Sequence, residues 1–302
     1  MIALKLDIDT RRGMEEGLPR LLELLKARGA RASVFFSYGP DESGKAVKRV
    51  FTRKGFLKKM FRTNAARLYG FKTMLYGTLL PAPPVASALP ELVLRTRGEG
   101  HETGVHAWSH VRWQDDLDTM SPVEIMCELG QAVAAHKRIT GEQPAAFAAP
   151  AWKINRKALD ELVKYPWKYV SLARGAAMAL PSLLGTSAPF PEIPTTLPTL
   201  DEILAWDGMN ADSALEYLAK APQKGRLNVY TLHSEAEGLS YLDFFGELLK
   251  RWRQAGFQLS TLSDTLAGMD ISKLPRTEIR EGMLPGRGGK VAVICRAGAT
   301  EV

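Results

Sequence analysis

The chain has 302 residues, of which 45% are hydrophobic and 24% are charged, and its formal net charge is +7. This is the composition of an ordinary globular protein, and it excludes a disordered or collagen-like chain; the length suits one α/β barrel of roughly 200–300 residues. The two cysteines, Cys127 and Cys295, argue against a disulfide-stapled secreted scaffold.

The N-terminal residues predict no targeting segment. No basic region stands ahead of an apolar run, and acidic residues begin at Asp7. The chain also has no uninterrupted apolar window of about 20 residues, the length that a transmembrane helix requires. We therefore expect a cytoplasmic protein.

The first 37 residues predict a strand, a helix and a second strand. Leu4–Asp9 alternates apolar and polar residues, Glu15–Arg28 carries leucines at helical spacing, and Ala32–Ser37 is typical of a buried strand. Such a unit implies a right-handed crossover and a parallel sheet.

Residues 41–84 interrupt this regular pattern with a basic segment. Residues 43–80 hold ten Lys or Arg and no acidic residue, so the rest of the chain has a net charge of −3. Phe, Leu, Met and Val recur near helical spacing between these cations, which predicts a basic amphipathic helical insertion after the second strand and favours the surface of an anionic membrane. The predicted membrane-facing residues are Lys54, Phe56, Lys58, Lys59, Phe61 and Arg62. A solvated basic helix packed on the barrel is the alternative.

Helices and strands alternate again after residue 84. The pattern predicts helices near 86–99, 122–140, 155–164 and 240–255, and strands at 102–106, 145–149, 168–172, 192–195, 227–233 and 257–260. Seven or eight strands without a dinucleotide-binding glycine fingerprint favour an irregular α/β barrel over an open sheet. We expect one domain over residues 1–280 and a glycine-rich tail over 281–302, in which Lys290–Cys295 could add a strand.

Two carboxylates stand at the end of the first predicted strand. Asp7 and Asp9 are two residues apart, so both side chains point to the same side. In a parallel barrel this end of the strand carries the active site, and adjacent carboxylates repel unless a cation separates them or their roles differ. The alternative is structural, with Asp9 or Thr10 capping the next helix.

Histidines follow two later strands. His106 and His110 have the i, i+4 spacing that places two imidazoles on one face of a helical turn, a common metal-ligand geometry. His233 ends the strand near 227–233. Structural histidines are the alternative in each case, and we assign that role to His101 and His136.

A barrel would bring these side chains together at one end. One carboxylate and two imidazoles make a three-ligand site for a divalent metal, and they leave one carboxylate as general base and one imidazole as general acid. Hydrolysis of an amide with the help of a metal needs this set of groups.

These motifs resemble those of the NodB-type polysaccharide deacetylases, which form irregular (β/α)7-type barrels. The resemblance implies that Asp7 is the base, that Asp9, His106 and His110 hold the metal, and that His233 is the acid. Zinc is the default metal, and manganese, cobalt or iron also suit these ligands.

Segments such as PTTLPTLDE at 194–202 and HSEAEG at 233–238 further resemble a deformylase branch of the family, with similarity from residue 4 to about 270. This branch implies removal of a formyl group from a formamido-arabinose carried on a polyprenyl phosphate. The amino sugar is later moved to lipid A, which weakens binding of cationic peptides. The resemblance also implies a peripheral protein on the cytoplasmic face of the inner membrane, without a nucleic-acid partner.

The sequence departs from the family pattern at two positions. The family places an Arg two residues before Pro150 and an Asp in the segment near 170, whereas this chain has Ala148 and Leu172. Lys153 and Arg174 are the candidates for the missing positive charge. The predicted substrate-binding residues are Trp108, Pro150, Trp152, Lys153, Arg174 and Glu235.

Two other functions remain open from the residues alone. One is a deacetylase of a soluble N-acetyl sugar or polysaccharide. The basic apolar segment argues against it, because a soluble substrate does not require a membrane-binding surface. The other is a non-catalytic basic module that binds RNA or a membrane. The set of Asp and His residues argues against it, because a binding module does not require metal ligands.

Overall fold

The computed structural model describes residues 1–47 and 72–294. The predicted membrane-facing residues, Lys54, Phe56, Lys58, Lys59, Phe61 and Arg62, lie outside these ranges. The basic helical insertion therefore stays a prediction.

Strands and helices alternate over residues 2–171, as the sequence predicts, except that two helices follow one another within 110–140. The α-helices are α1 (Leu18–Ala27), α2 (Pro90–Gly98), α3 (His110–Asp116), α4 (Pro122–Thr140), α5 (Arg156–Leu162), α6 (Leu200–Leu204), α7 (Ala211–Lys220) and α8 (Leu242–Gln254). The strands are β1 (Ile2–Ile8), β2 (Ser33–Ser37), β3 (Glu102–Ala107), β4 (Ala146–Ala148), β5 (Tyr169–Ser171), β6 (Arg174–Gly175), β7 (Leu180–Leu183), β8 (Thr186–Ser187), β9 (Val229–His233), β10 (Leu259–Ser260), β11 (Arg276–Met283) and β12 (Lys290–Ile294).

Recognisable capping residues mark both ends of the predicted helix at 122–140. Ser121 and Glu124 form a reciprocal capping box, and Pro122 occupies the first turn, where it leaves no backbone donor unsatisfied. Gly141 ends the helix at φ 78°, a left-handed conformation that glycine adopts without strain.

Seven parallel strands form the main sheet. β1 pairs in parallel with β2, β9 and β10, and the sheet continues from β2 through β3 and β4 to β5. All seven strands therefore end at the same edge, where the helices and loops that follow them begin.

An extended segment at 191–197 joins β5 to β9 and curls the sheet into an irregular barrel. Ile193 N donates to Val170 O at 2.8 Å, and Leu197 N donates to Val229 O at 3.0 Å. The strand predicted at 192–195 is present only as isolated bridges. Pro191 and Pro194 have no backbone N–H, so a regular ladder cannot form there.

The two faces of β1 have different neighbours. Leu4, Leu6 and Ile8 belong to the large apolar core that the helices cover. Ala3 belongs to the smaller apolar cluster, with alanines of β4 and Phe35 of β2. Because side chains alternate along a strand, Lys5 and Asp7 follow Ala3 on the inner face of the barrel.

A second sheet covers one side of the barrel, in the order β6, β12, β11, β7 and β8. The predicted strand at Lys290–Cys295 is β12, which pairs with β11 and β6. The predicted domain boundary at residue 280 falls inside β11, because this strand is held by both β7 and β12. The tail predicted from 281 therefore begins within a sheet.

None of the helices within residues 1–47 and 72–294 has both the length and the apolar character needed to cross a bilayer.

Candidate active site

Asp9, His106 and His110 converge at the carboxyl ends of β1 and β3. Asp9 directly follows β1, His106 lies in β3, and His110 is the first residue of α3. The expectation that both histidines share one helical turn is wrong, because Ser109 has extended backbone angles and caps α3 between them. The strand end and the helix start nevertheless turn both imidazoles toward Asp9.

The distances within this trio are short. Asp9 Oδ1 lies 3.4 Å from His106 Nε2, and Asp9 Oδ2 lies 3.4 Å from His110 Nε2. Burial raises the pKa of Asp9, but without a metal the positive charges that His110 and His106 carry when protonated outweigh burial and hold the pKa below its usual value. Asp9 is therefore ionised.

A backbone carbonyl orients His106. Its Nδ1 lies 2.8 Å from Ala148 O, and because a carbonyl oxygen only accepts, Nδ1 carries the proton and donates. In the neutral ring, Nε2 then presents a lone pair toward Asp9. This arrangement is typical of metal-ligating histidines.

The turn before His110 is fixed by two acids, the buried Glu128 and the half-buried Glu42. Ser109 N donates to Glu128 Oε1, and Ser109 Oγ donates to Glu42 Oε2 at 2.8 Å. The same hydroxyl accepts from Arg112 N at 3.2 Å, which starts α3. These bonds set the position of His110 relative to His106.

The trio fits a divalent cation. Its ligand atoms all lie within 4.8 Å of one another. Asp9 Oδ1 is buried and accepts no hydrogen bond from the described residues. A carboxylate oxygen and a nitrogen lone pair that face each other repel unless a cation lies between them.

Asp7 and His233 lie beside the trio on adjacent strands. They are register partners in the parallel pairing of β1 with β9. Lys5 Nζ donates to Asp7 Oδ2 at 2.5 Å, while Asp7 Oδ1 is buried and accepts no hydrogen bond from the described residues.

The charges around His233 favour its protonated form. Burial lowers the pKa of His233, but the negative charges of Asp9, Asp201 and Asp7 outweigh burial and raise it. Its backbone is held by Glu237, whose Oε2 accepts from His233 N at 3.0 Å. A protonated imidazole opposite a carboxylate is a matched pair of acid and base.

Glu235 joins the loops after β1 and β9. Its Oε1 accepts from Asp9 N at 3.1 Å, Thr10 N at 2.7 Å and Thr10 Oγ1 at 2.8 Å. Burial and the charge of Asp9 raise the pKa of Glu235 to about 7, against the bonds from Thr10. Gly13 is required next to it, since a Cβ there would lie 2.2 Å from Glu235 Oε1. Glu235, a predicted substrate-binding residue, therefore fixes the backbone of Asp9 and Thr10 after β1.

Trp108, Pro150 and Trp152 lie in the loops at the same end of the barrel. Trp108 is half-buried, with its ring against Gly39, where a Cβ would meet the ring at 2.6 Å. Pro150 is buried and begins a short turn in which Ala151 and Trp152 both have φ 51°, a strained backbone conformation.

Trp152 itself is only 2% exposed and packs under Val291 and Val293 of β12. Its Nε1 donates to Thr195 Oγ1 at 3.2 Å. Covered in this way, the indole supports the wall of the site instead of offering a surface to a substrate.

The two predicted cations form ion pairs with acids other than Asp7. Lys153 Nζ pairs with Asp118 at 3.0 Å, and Arg174 pairs with Glu202 at 2.6 Å. The cation beside Asp7 is Lys5, which is not among the residues predicted for the site. A lysine two residues before an active-site Asp, in an otherwise apolar strand, was the available signal.

The chain matches known proteins over most of its length. The family model for polysaccharide deacetylase matches residues 1–170. A relative from Shewanella sediminis, named as a probable 4-deoxy-4-formamido-L-arabinose-phosphoundecaprenol deformylase, is 34% identical over 95% of this chain and 92% of its own length. A relative of the same name from Wigglesworthia glossinidia brevipalpis is 30% identical over 93% of this chain and 97% of its own.

Solved structures share the fold. A Mycobacterium smegmatis protein assigned to the polysaccharide deacetylases superposes with a TM-score of 0.63 at 16% identity, over 93% of this chain and 94% of that one. A domain of a xylanase from the hindgut metagenome of Trinervitermes trinervoides gives 0.51 at 13% identity, over 90% and 93%. The family model, the two relatives and the curled parallel barrel agree, and the chain belongs to the polysaccharide deacetylase family.

Proposed function

We propose that this protein removes the formyl group from 4-deoxy-4-formamido-L-arabinose carried on undecaprenyl phosphate. The observation that carries the proposal is the trio of Asp9, His106 and His110 at the strand ends, with Asp7 and His233 beside it. The names of the two relatives support the formamide as the substrate. They favour it over a soluble N-acetyl sugar and over a non-catalytic role.

The trio is proposed to hold one divalent metal through Asp9 and the Nε2 atoms of His106 and His110. Zinc is the first choice, and manganese, cobalt and iron suit the same ligand types. When bound, such an ion polarises the amide oxygen and makes water a better nucleophile at neutral pH.

Asp7 is proposed as the general base. Its Oδ1 is unpartnered among the described residues and takes a proton from the attacking water, while Oδ2 stays bonded to Lys5. The water oxygen bonds to the formyl carbon, giving a tetrahedral intermediate.

His233 is proposed as the general acid. Its raised pKa keeps a proton available, and the imidazolium gives this proton to the sugar nitrogen as the C–N bond breaks. The products are formate and the free amino sugar on its lipid. The amino sugar serves the modification of lipid A that weakens binding of polymyxin and other cationic peptides.

The lipid of the substrate places the reaction at a membrane. We assign membrane contact to the basic segment, where ten Lys or Arg alternate with apolar residues over 43–80. The protein is then peripheral on the cytoplasmic face of the inner membrane.

Comparing two substrates tests the proposed specificity. The protein is incubated in detergent with the formamido-arabinose phospholipid or with an N-acetylglucosamine oligomer, and formate and acetate are quantified. Formate from the first and no acetate from the second is the expected result. Acetate release with no formate would assign the protein to the alternative deacetylase activity.

A further inference from the structure

Lys5 is a fully buried lysine on the inner face of the barrel. The residue is 0% exposed, and its Nζ lies 2.5 Å from Asp7 Oδ2. Aromatic rings of Trp152 and Phe35 lie near the ammonium, with centroids at 5.5 and 5.7 Å. The ammonium is thus enclosed by one carboxylate and two ring faces.

Stability of the fold does not by itself call for a charge at this position. Removing an ammonium group from water is energetically unfavourable, and replacing a buried ion pair by apolar residues is often neutral or stabilising. The preceding residue on the same face is Ala3, so β1 does present apolar side chains to the interior. The pairing of Lys5 with Asp7 therefore points to a function.

Lys5 divides the Asp7 carboxylate into two unlike oxygens. Oδ2 accepts the bond from Lys5, whereas Oδ1 is buried and has no hydrogen-bond partner among the described residues. A carboxylate held at one oxygen cannot turn freely about its Cβ–Cγ bond. Oδ1 therefore keeps one direction.

The other acid near Lys5 is Glu192. Both of its oxygens accept from the backbone N–H groups of Leu172 or Ala173, at 2.9 to 3.0 Å. Burial raises the pKa of Glu192 to about 8, against these bonds and the charge of Lys5, so the group is mostly neutral at pH 7. The acid that accepts from Lys5 Nζ is therefore Asp7.

We infer that Lys5 is the positioning residue for the base: its bond to Asp7 Oδ2 aims Oδ1 at the attacking water. This inference rests on the proposed function of Asp7. Lys5 on β1 then supplies the positive charge that the family places at position 148, where this chain has Ala148. Lys5 takes this role in place of the two predicted candidates, Lys153 and Arg174.

The test compares Lys5→Met, Lys5→Gln and Lys5→Arg with wild type, using formate release, metal content and thermal unfolding. Lys5→Met should lower kcat about 100-fold, the scale of a misplaced catalytic group, with KM and metal content within about twofold. Lys5→Arg, which restores a charged donor, should recover kcat to within about tenfold of wild type. Lys168→Met, at an exposed lysine, is the control and should change kcat less than about twofold.

A double-mutant cycle separates positioning from a purely structural role. In an Asp7→Asn background, Lys5→Met should change the residual kcat by less than about threefold, because no carboxylate remains to be aimed. An equal loss in both backgrounds, or unchanged kcat in Lys5→Met, would overturn the inference. If Lys5→Met does not fold, Lys5→Gln takes its place in the cycle, and the same changes in kcat, KM and metal content are expected. A wild-type protein that releases no formate would instead contradict the proposed function.

Discussion

Asp7 and His233 are register partners on the adjacent parallel strands β1 and β9. Paired residues of parallel strands point to the same face, so the carboxylate and the imidazole stand side by side at the barrel mouth. The negative charge of Asp7 contributes to the raised pKa of His233. The pairing of two strands thus places the proposed base and the proposed acid next to the Asp9, His106 and His110 trio.

Asp7→Asn should remove most turnover and leave the metal in place. The amide keeps the size of the side chain but cannot accept a proton, so kcat should fall by about 10²- to 10⁴-fold. Formate release and metal analysis of the same preparation check this. Asp118→Asn, at the exposed acid paired with Lys153, is the control and should keep wild-type turnover. Normal turnover in Asp7→Asn would remove Asp7 as the base.

His110→Ala should lose the metal, because only two of the three ligands would remain. Metal per chain, measured by elemental analysis after dialysis, should fall to about one tenth of the wild-type value or less. His101→Asn provides a histidine control from outside the trio, since His101 Nδ1 accepts from Ala32 N. Unchanged metal content in His110→Ala would refute the ligand assignment.

The free energy of unfolding should fall between pH 6.5 and 4 because of His136. Tyr38 Oη and His136 Nδ1 form a hydrogen bond at 2.8 Å, and burial lowers the pKa of His136 to about 4. Below pH 6.5 the unfolded chain binds a proton that the folded chain does not. This contribution is therefore full above pH 6.5 and is lost as the pH falls toward 4, by about 3 kcal/mol in total.

Urea unfolding of wild type and His136→Gln at pH 7.5 and 4.5 measures this effect. Glutamine does not titrate, so the variant should lose less stability between the two pH values than wild type does. The comparison cancels the titration of all other groups. Equal losses in both proteins would show that His136 does not cause the acid sensitivity.

Neutralising Lys58 and Lys59 should weaken membrane binding. Each cation near an anionic surface contributes about 1 kcal/mol, so the Lys58→Gln, Lys59→Gln variant should bind anionic vesicles about 30-fold more weakly. The control variant, Lys26→Gln with Lys224→Gln, removes the same charge from exposed positions outside the basic segment. Vesicle sedimentation in which both variants weaken equally would count against a local membrane face.

The order of helices and strands could be predicted because each periodic run is long enough to show its period. Helix α4 lies at 122–140 in both the prediction and the structure, where a capping box and Gly141 mark its ends. The structure of the segment at 192–195 could not be predicted in the same way. Pro191 and Pro194 have no backbone N–H, and the segment is held by hydrogen bonds to partners in β5 and β9 that are distant in sequence.

The set of site residues was visible in the sequence because each member lies at or just after a strand end. The conformation between His106 and His110 was not, since spacing alone does not show that Ser109 caps a helix there. Lys5 was missed for a related reason. In a strand that alternates apolar and polar residues, a lysine is expected on the solvent-exposed face of the sheet. Here that face lies inside the barrel, because the sheet curls around it.

The decisive measurement for metal-dependent deformylation is formate release from the formamido-arabinose phospholipid, before and after removal of the metal by a chelator. Formate release should stop when the metal is removed and return when zinc or another suitable divalent ion is added back. Unchanged release from protein shown to be metal-free would contradict it. Absence of formate from folded, metal-loaded protein would contradict it equally.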